Sequence, residues 1–196
     1  NIQRRILIMN VTTKKLTNTA IMIALAEVLS FFTVFQGING GDVTIGSAVP
    51  IILIAFMYNT PWGILTSLVY TLVNMLLKGI VTTLPTEGLY TYFMMILLDY
   101  VLAFGVLGLA GWFSRKMGGS SVAMTVSAAF VVFLRFVCHY ASGVILWGSY
   151  APEGQSVWLY SLLYNGGYML PELIITTVIV GILSVKVIPM IIEKFR

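Results

Sequence analysis

Apolar residues fall in long runs along this chain, and short polar or glycine-rich turns separate the runs. A helix that crosses the hydrocarbon core of a bilayer needs about 20 mostly apolar residues, and most of the runs approach that length. The clearest separator is the glycine-rich segment 36–42, whose composition favours a turn. The pattern predicts helices over about 16–35, 44–58, 61–78, 89–113, 122–147 and 158–185.

The apolar stretch 44–78 is too long for one membrane span. As a single helix it would extend about 52 Å, whereas the hydrocarbon core is about 30 Å thick. The segment Asn59-Thr60-Pro61 predicts a break, because proline suits the first turn of a new helix. The helix over 44–58 is then short for a full span.

The composition identifies the class of protein. Hydrophobic residues make up 59% of the chain and charged residues 9%, whereas about 25% is usual for charged residues in soluble domains. A soluble globule could not cover its surface with so few charges. We therefore expect an all-α integral membrane protein in which residues 1–196 form a single membrane domain, a compact six-transmembrane-helix bundle. Nucleic acid is not an expected partner, since most basic residues flank the apolar runs.

Lysine and arginine are distributed unevenly between the two sides of the predicted membrane. One side carries a single basic residue, Lys78, together with Asp42, Glu87 and Glu153. Because cytoplasmic loops are enriched in lysine and arginine, the other side is predicted to be cytoplasmic, and six spans place both termini there. That side collects Arg4, Arg5, Lys14, Lys15, Arg115, Lys116, Lys186, Lys194 and Arg196.

Ionisable residues inside the predicted spans are the first candidates for function, because a charge in hydrocarbon is costly and needs a partner. Five such residues occur, and the depths of Arg135 and Glu172 predict a structural ion pair between two helices. Asp99, His139 and Asn165 lie on three helices at about 10 to 15 Å below the outer surface, so they could form one pocket. The ionisable set is Glu27, Asp99, Arg135, His139 and Glu172.

Purely structural roles remain open for these groups. Asp99 could instead pair with Arg135, and His139 could be a core histidine that bonds to a neighbouring helix. For Glu27 a structural hydrogen-bonding role is preferred to one at the edge of a pocket. A carboxylate surrounded by aromatic rings would suit a flat cationic ligand, because charge pairing and cation-π attraction then act on the same molecule.

The sequence lacks the residues that several kinds of catalysis require. The chain has no phosphate-binding loop for nucleotide hydrolysis, and its single histidine rules out a two-histidine zinc site. Ser142 lies one turn from His139, but the sequence supplies no oxyanion hole for a hydrolase. Cys138 is the only cysteine, which excludes an intrachain disulfide. We expect neither an enzyme nor a bound metal or cofactor.

Three segments taken together resemble the thiamine-specific substrate-binding subunit, or S-component, of energy-coupling-factor vitamin transporters. They are Leu98-Asp99-Tyr100, the segment His139-Tyr140-Ala141-Ser142-Gly143 followed by Trp147, and the segment from Tyr160 to Asn165-Gly166. The resemblance implies that thiamine is bound in a pocket on the outer side. The binding residues that it implies are Asp99, Tyr100, His139, Trp147, Tyr160 and Asn165.

The same resemblance implies partners. Helix one carries Ala20-Ile21-Met22-Ile23-Ala24, which is similar to the family's small-residue motif for docking onto a transmembrane coupling subunit. Two cytoplasmic ATPases would complete the transporter in the cell membrane. Where relatives carry a tryptophan in the first outer loop, this chain has the Gly40-Gly41 region.

One geometric conflict predicts a local irregularity. Tyr160 and Asn165 are separated by about 140° around an ideal helix. Both can line one pocket only if the helix begins after Tyr160 or distorts near Gly166-Gly167. We therefore expect one of these two irregularities.

Two other functions fit the same composition. An autonomous secondary transporter would couple a small cationic or heteroaromatic solute to protons through Asp99, His139 or Glu172, and it would work without any ATPase. A structural membrane subunit would bind no small molecule at all.

Overall fold

The chain folds into packed helices with one short hairpin. The computed structural model describes residues 2–37, 40–80 and 88–195, with the backbone alone for 2–11 and 195. Glu87 and Arg196, and the side chains of Arg4 and Arg5, lie outside the described residues. The elements are α1 (Ile2–Phe31), β1 (Thr33–Gln36), β2 (Asp42–Thr44), α2 (Val49–Met57), α3 (Thr60–Lys78), α4 (Leu89–Lys116), α5 (Ser121–Leu146) and α6 (Val157–Phe195).

Four of these helices carry the membrane character of the chain. Within the described ranges, α3, α4, α5 and α6 are long and apolar enough to cross a bilayer. Large apolar side chains are exposed on their outer faces, for example Leu72 on α3 and Ile182 on α6. In water such a surface would drive aggregation, whereas lipid tails solvate it. The prediction of a helical membrane protein is confirmed.

The first helix ends before the apolar run does. It ends at Phe31, and Thr33–Gln36 forms an antiparallel pair with Asp42–Thr44. Thr33, Val34 and Phe35 are β-branched or aromatic, and such residues favour an extended backbone where a partner strand is available. The hairpin therefore contains residues 33–35, which were predicted as the end of a helix, and residues of the predicted turn 36–42.

The short helix α2 lies in the middle of the bundle. Its nine residues are all buried, and at about 1.5 Å per residue it extends only about 14 Å. It packs against α1, α3, α4 and α6. Because β2 and the following turn take residues 42–48, α2 begins later than the predicted start at 44. This helix fills the core and is too short to cross the bilayer by itself.

The turn between α2 and α3 lies at the Asn59-Thr60-Pro61 segment. The Asn59 side chain caps α3 by accepting a hydrogen bond from the Trp62 backbone N–H at 3.2 Å, and proline occupies the first turn. Arg115 at the end of α4 donates to the Tyr58 carbonyl at 3.1 Å and to the Thr60 hydroxyl at 3.0 Å. The end of α4 thus holds this turn in place.

Helix α4 is irregular along its length. A π-helical stretch covers Ile96–Leu102, and a 3-10 stretch covers Val106–Leu109. The helix also approaches α3 very closely, since a Cβ atom on Gly63 would lie 2.6 Å from the Gly108 carbonyl oxygen. Only glycine allows the two backbones to come so near. Single π turns inside α-helices often lie at functional sites, and this one contains Asp99.

Candidate ligand-binding site

A cavity of about 350 Å³ opens between the hairpin, α3, α4, α5 and α6. Its walls include each of the six residues that the sequence analysis assigned to a ligand: Asp99, Tyr100, His139, Trp147, Tyr160 and Asn165. Asp99, His139 and Asn165 among them come from three helices, as the depth argument predicts. Their binding of a ligand remains a prediction, but the structure brings them to one place.

Asp99 lies in the π-helical stretch of α4 and faces α5. His139 Nδ1 is 3.0 Å from Asp99 Oδ1, and the Ser142 hydroxyl donates to Asp99 Oδ2 at 2.5 Å. These two contacts fix the orientation of the carboxylate. The sequence analysis weighed Ser142 only as a nucleophile and missed its bond to Asp99.

His139 presents one ring nitrogen without a partner. Its ring packs edge-on against Tyr168 with the centroids 5.9 Å apart. In the neutral tautomer that donates from Nδ1 to Asp99, Nε2 keeps a lone pair. Nε2 is buried and has no hydrogen-bond partner among the described residues. Other atoms of the His139 side chain line the cavity.

Asn165 is held firmly by its own helix. Its Nδ2 lies 3.1 Å from both the carbonyl and the hydroxyl oxygen of Ser161, and its Oδ1 accepts from the Tyr168 hydroxyl at 2.7 Å. These contacts fix the amide orientation and leave it only part of its hydrogen-bonding capacity for a ligand. Tyr168 was not predicted as a site residue.

The expected irregularity in the last helix is absent. Helix α6 begins at Val157, before Tyr160, and stays α-helical through Gly166-Gly167 and Pro171. Both Tyr160 and Asn165 nevertheless line the cavity. The prediction of a late start or a distortion was wrong, since one continuous helix brings both residues to the cavity.

Aromatic rings cover the outer part of the cavity. Trp147, directly after α5, stacks on Tyr150 with the planes 25° apart and the centroids 6.0 Å apart. Tyr160 stacks on Tyr164 with corresponding values of 27° and 5.9 Å. A flat ligand would find ring faces and edges on several sides, and such contacts are favourable for both aromatic and cationic groups.

The hairpin forms one wall of the cavity and rests on α6. The Tyr164 hydroxyl donates to the Gly40 carbonyl at 2.6 Å. Gly41 has φ +86°, and a Cβ atom there would lie 2.6 Å from a ring carbon of Tyr168. The glycine pair thus allows the hairpin to lie against Tyr164 and Tyr168. The sequence indicated this pair only as the replacement for a tryptophan.

The predicted ion pair between Arg135 and Glu172 is absent among the described residues. Glu172 instead accepts hydrogen bonds from the backbone N–H and the hydroxyl of Thr44, at 2.8 and 2.9 Å. The end of β2 reaches the middle of α6, and its buried N–H must be satisfied there. The Arg135 guanidinium lies over the Phe104 ring, with its carbon 4.2 Å from the centroid.

Glu27 has the structural role that the sequence analysis preferred. Its Oε2 accepts a hydrogen bond from Asn74 Nδ2 at 3.0 Å, which ties α1 to α3. Nearby, Lys78 at the end of α3 lies 3.4 Å from the Asp42 carboxylate at the start of β2. These contacts fasten the C-terminal ends of α1 and α3 and the hairpin to one another.

Known proteins resemble this chain over most of its length. The family model described as "Thiamine transporter protein" matches residues 16–192. The thiamine transporter ThiT of Bacillus subtilis is 34% identical over 180 residues, covering 86% of this chain and 89% of the relative. ThiT of Lacticaseibacillus paracasei is 30% identical over 177 residues, covering 84% of each.

A solved structure of ThiT from Listeria monocytogenes has the same fold. It superimposes with a TM-score of 0.73 at 24% sequence identity, covering 91% of this chain and 96% of that one.

Proposed function

The chain belongs to the thiamine transporter protein family, and from that premise we propose that it binds thiamine in the cavity and serves as the substrate-specific subunit of an ATP-driven energy-coupling-factor transporter. Family membership confirms the resemblance drawn from the sequence, and it identifies a transport protein rather than an enzyme.

The observation that carries the proposal is the oriented carboxylate of Asp99 among aromatic rings. Thiamine joins a permanently cationic thiazolium to an aminopyrimidine, so it needs an anion, hydrogen-bonding groups and ring surfaces together. Asp99 supplies the anion, and Trp147, Tyr100 and Tyr160 line the same cavity. His139, which lines the same cavity, holds the Asp99 carboxylate in place. This combination supports a flat heteroaromatic cation as the ligand.

The proposed topology has six membrane passes with both termini in the cytoplasm. Basic groups support it, because they gather at one end of the bundle. There Lys14 Nζ lies 3.2 Å from the Lys194 carbonyl oxygen, and Lys15 Nζ lies 3.9 Å from the centroid of the Trp62 ring. Arg115 holds the adjoining α2–α3 turn. The Lys78–Asp42 pair lies at the other ends of α3 and the hairpin, as an outer side poor in lysine and arginine requires.

The proposed partners are a transmembrane coupling subunit and two cytoplasmic ATPases in the cell membrane. Ala20 and Ala24 on α1 are both exposed, and Leu16 and Val28, one turn before and after them, are exposed too. Small residues one turn apart let another helix approach closely. This face therefore supports docking of the coupling subunit.

The experiment is a calorimetric titration of the detergent-purified chain with thiamine, with Trp fluorescence as a second signal because Trp147 lines the cavity. We expect saturable one-to-one binding. Reconstituted vesicles should then accumulate thiamine only when the coupling subunit, the ATPases and ATP are present. Uptake without them would favour the proton-coupled carrier, and absence of binding would overturn the proposal.

A further inference from the structure

Lys15, Tyr58 and Trp62 form a corner where α1 meets the α2–α3 turn, here termed the Lys15 corner. Lys15 Nζ lies 3.9 Å from the centroid of the Trp62 ring and 5.2 Å from that of Tyr58. The next turn of α1 fixes both rings. Trp62 Nε1 donates to the Thr19 hydroxyl at 3.0 Å, and Asn18 Nδ2 donates to the Tyr58 hydroxyl at 3.1 Å. The ammonium group is therefore held in a defined position.

The charge of Lys15 has no anionic partner in the part of the chain that the structure describes. Its Nζ forms neither an ion pair nor a hydrogen bond with a described residue. An ammonium group has three N–H donors, and ring faces attract its charge without accepting the directed hydrogen bonds that a phosphate oxygen accepts. Lys15 is only half-buried, so an anion can reach it from outside the bundle.

Other cations lie around the Lys15 corner. Arg115 donates to the Tyr58 carbonyl at 3.1 Å, and the neighbouring Lys14 lies 3.2 Å from the Lys194 carbonyl oxygen. Among the described residues, Glu193 is the only carboxylate at this end of the bundle. A zwitterionic headgroup would bring its own cation into this positive field, whereas an anionic headgroup brings none. The surroundings therefore favour a ligand with net negative charge.

Lipid-facing side chains begin directly beside the Lys15 corner. Leu16 follows Lys15 on α1 and is exposed, and so is Leu65, one turn after Trp62 on α3. A phospholipid joins a phosphate to acyl chains, so its two parts match the cation and the leucines. A free phosphate ion would match the cation alone. Lysine and tryptophan together are also typical of the boundary between headgroups and hydrocarbon.

The Lys15 corner faces away from the proposed docking face of α1. At about 100° per residue, Lys15 is about 140° from Ala20 and about 180° from Ala24 around the helix. A coupling subunit that docks on the two alanines would therefore leave the corner to the surrounding lipid.

We propose that the Lys15 corner binds one anionic phospholipid. The Lys15 ammonium group donates hydrogen bonds to the phosphate, and the acyl chains lie along Leu16 and Leu65. In the proposed topology this lipid belongs to the cytoplasmic leaflet. The site is independent of thiamine, because all three residues of the corner lie outside the cavity lining.

The test titrates the complete, detergent-purified chain with phosphatidylglycerol or with phosphatidylcholine of the same acyl chains, and native mass spectrometry counts the bound lipids. Lys15→Gln removes the cation, and Lys15→Arg keeps one over the rings. Lys186→Gln is the control, because Lys186 is an exposed lysine on α6 near the same end of the bundle. Glycerol 3-phosphate, which has no acyl chains, is the probe for a soluble anion.

We expect the unmodified protein to bind one phosphatidylglycerol more tightly than phosphatidylcholine. Lys15→Gln should weaken phosphatidylglycerol about fivefold, as loss of one basic group at a lipid surface does, and should leave phosphatidylcholine unchanged. Lys15→Arg and Lys186→Gln should retain the preference, and glycerol 3-phosphate should not displace the lipid. Thiamine affinity should be the same in all variants.

Equal affinities for the two lipids would overturn the inference. Equal weakening by Lys15→Gln and Lys186→Gln would also overturn it, because the attraction would then be a diffuse effect of charge. Displacement by glycerol 3-phosphate would make the corner a site for soluble anions. If Lys15→Gln kept its lipid but no longer assembled with the coupling subunit, Lys15 would belong to a protein contact instead.

Two further outcomes separate this inference from folding defects and from the proposed function. If Lys15→Gln lowers the unfolding temperature of the lipid-free protein, Lys15→Arg decides, since its failure to retain the lipid preference would exclude the site. Absence of thiamine binding in the unmodified protein would overturn the proposed function and leave the lipid site standing.

Discussion

Asp99 Oδ1 on α4 and His139 Nδ1 on α5 are 3.0 Å apart, in a cavity where the Ser142 hydroxyl holds the other carboxylate oxygen. The carboxylate is therefore oriented before any ligand arrives, and little reorganisation is needed on binding. This arrangement joins two consecutive helices through residues that are 40 positions apart in sequence. Its consequences can be measured directly.

Replacing Asp99 with Asn should weaken thiamine binding by about 2 to 5 kcal/mol, the usual effect of truncating one side of a buried charge contact. The amide also turns an N–H group toward His139 or Ser142, both of which approach the carboxylate. Calorimetry of the two proteins measures the difference. Glu153→Gln, at an exposed site outside the cavity lining, is the matched loss of charge. Equal affinities for the unmodified and Asp99→Asn proteins would remove Asp99 from the site.

Gly41→Ala should weaken binding and speed up thiamine release, since the new Cβ would collide with the Tyr168 ring and displace the hairpin wall. Gly154→Ala is the control. Gly154 also has a positive φ, +80°, but a Cβ there meets nothing within 4 Å. Both variants share a backbone cost of about 1 to 2 kcal/mol, so only the steric contact differs. Stopped-flow Trp fluorescence gives the release rates, and equal rates for the two variants would contradict the assigned role of the hairpin.

The contact between Thr44 and Glu172 should contribute to the stability of the fold. Thr44→Val removes the hydroxyl donor to a buried carboxylate, and we expect a loss of about 1 to 3 kcal/mol. Thermal unfolding of the ligand-free protein in detergent measures the direction of the change. In the double variant Thr44→Val, Glu172→Met, the effects should be less than additive, because each single change already removes the bond between the hydroxyl and the carboxylate. Strict additivity would mean that the two residues act independently.

Ala24→Trp should leave thiamine binding unchanged and block ATP-driven uptake, because a bulky side chain fills the proposed docking face and not the cavity. Val178→Trp is the control, as Val178 is an exposed residue on α6. Calorimetry and vesicle uptake are measured on the same preparations. Loss of both binding and uptake in Ala24→Trp would indicate misfolding, and normal uptake would exclude this face from docking.

Much of the candidate site could be predicted from local signals. The depth of Asp99, His139 and Asn165 in apolar runs predicted that they face one pocket, because charged and amide groups cannot face lipid. The Asn59-Thr60-Pro61 segment predicted a break that depends only on the length of a helix and the chemistry of proline. Such inferences succeed when a single element determines the outcome.

The errors concern partners that are distant in sequence. Arg135 and Glu172 lie at similar predicted depths. Glu172 instead accepts a hydrogen bond from Thr44, because the hairpin folds into the bundle. Nothing near Glu172 in the sequence signals this competitor. Likewise, Tyr160 and Asn165 both line the cavity although α6 is continuous. Several helices together form that cavity, so the sequence of α6 alone does not predict this.

The sequence by itself determined the membrane class, the principal helical runs and the set of polar groups that must avoid lipid, because these follow from the free energy of transferring side chains into hydrocarbon. Only the tertiary structure decided which of those groups meet. The hairpin in place of a helix end and the pairing of Glu172 with Thr44 both result from competition among non-local donors and acceptors. That competition depends on which donors and acceptors come within hydrogen-bonding distance, and the packing of the helices decides this.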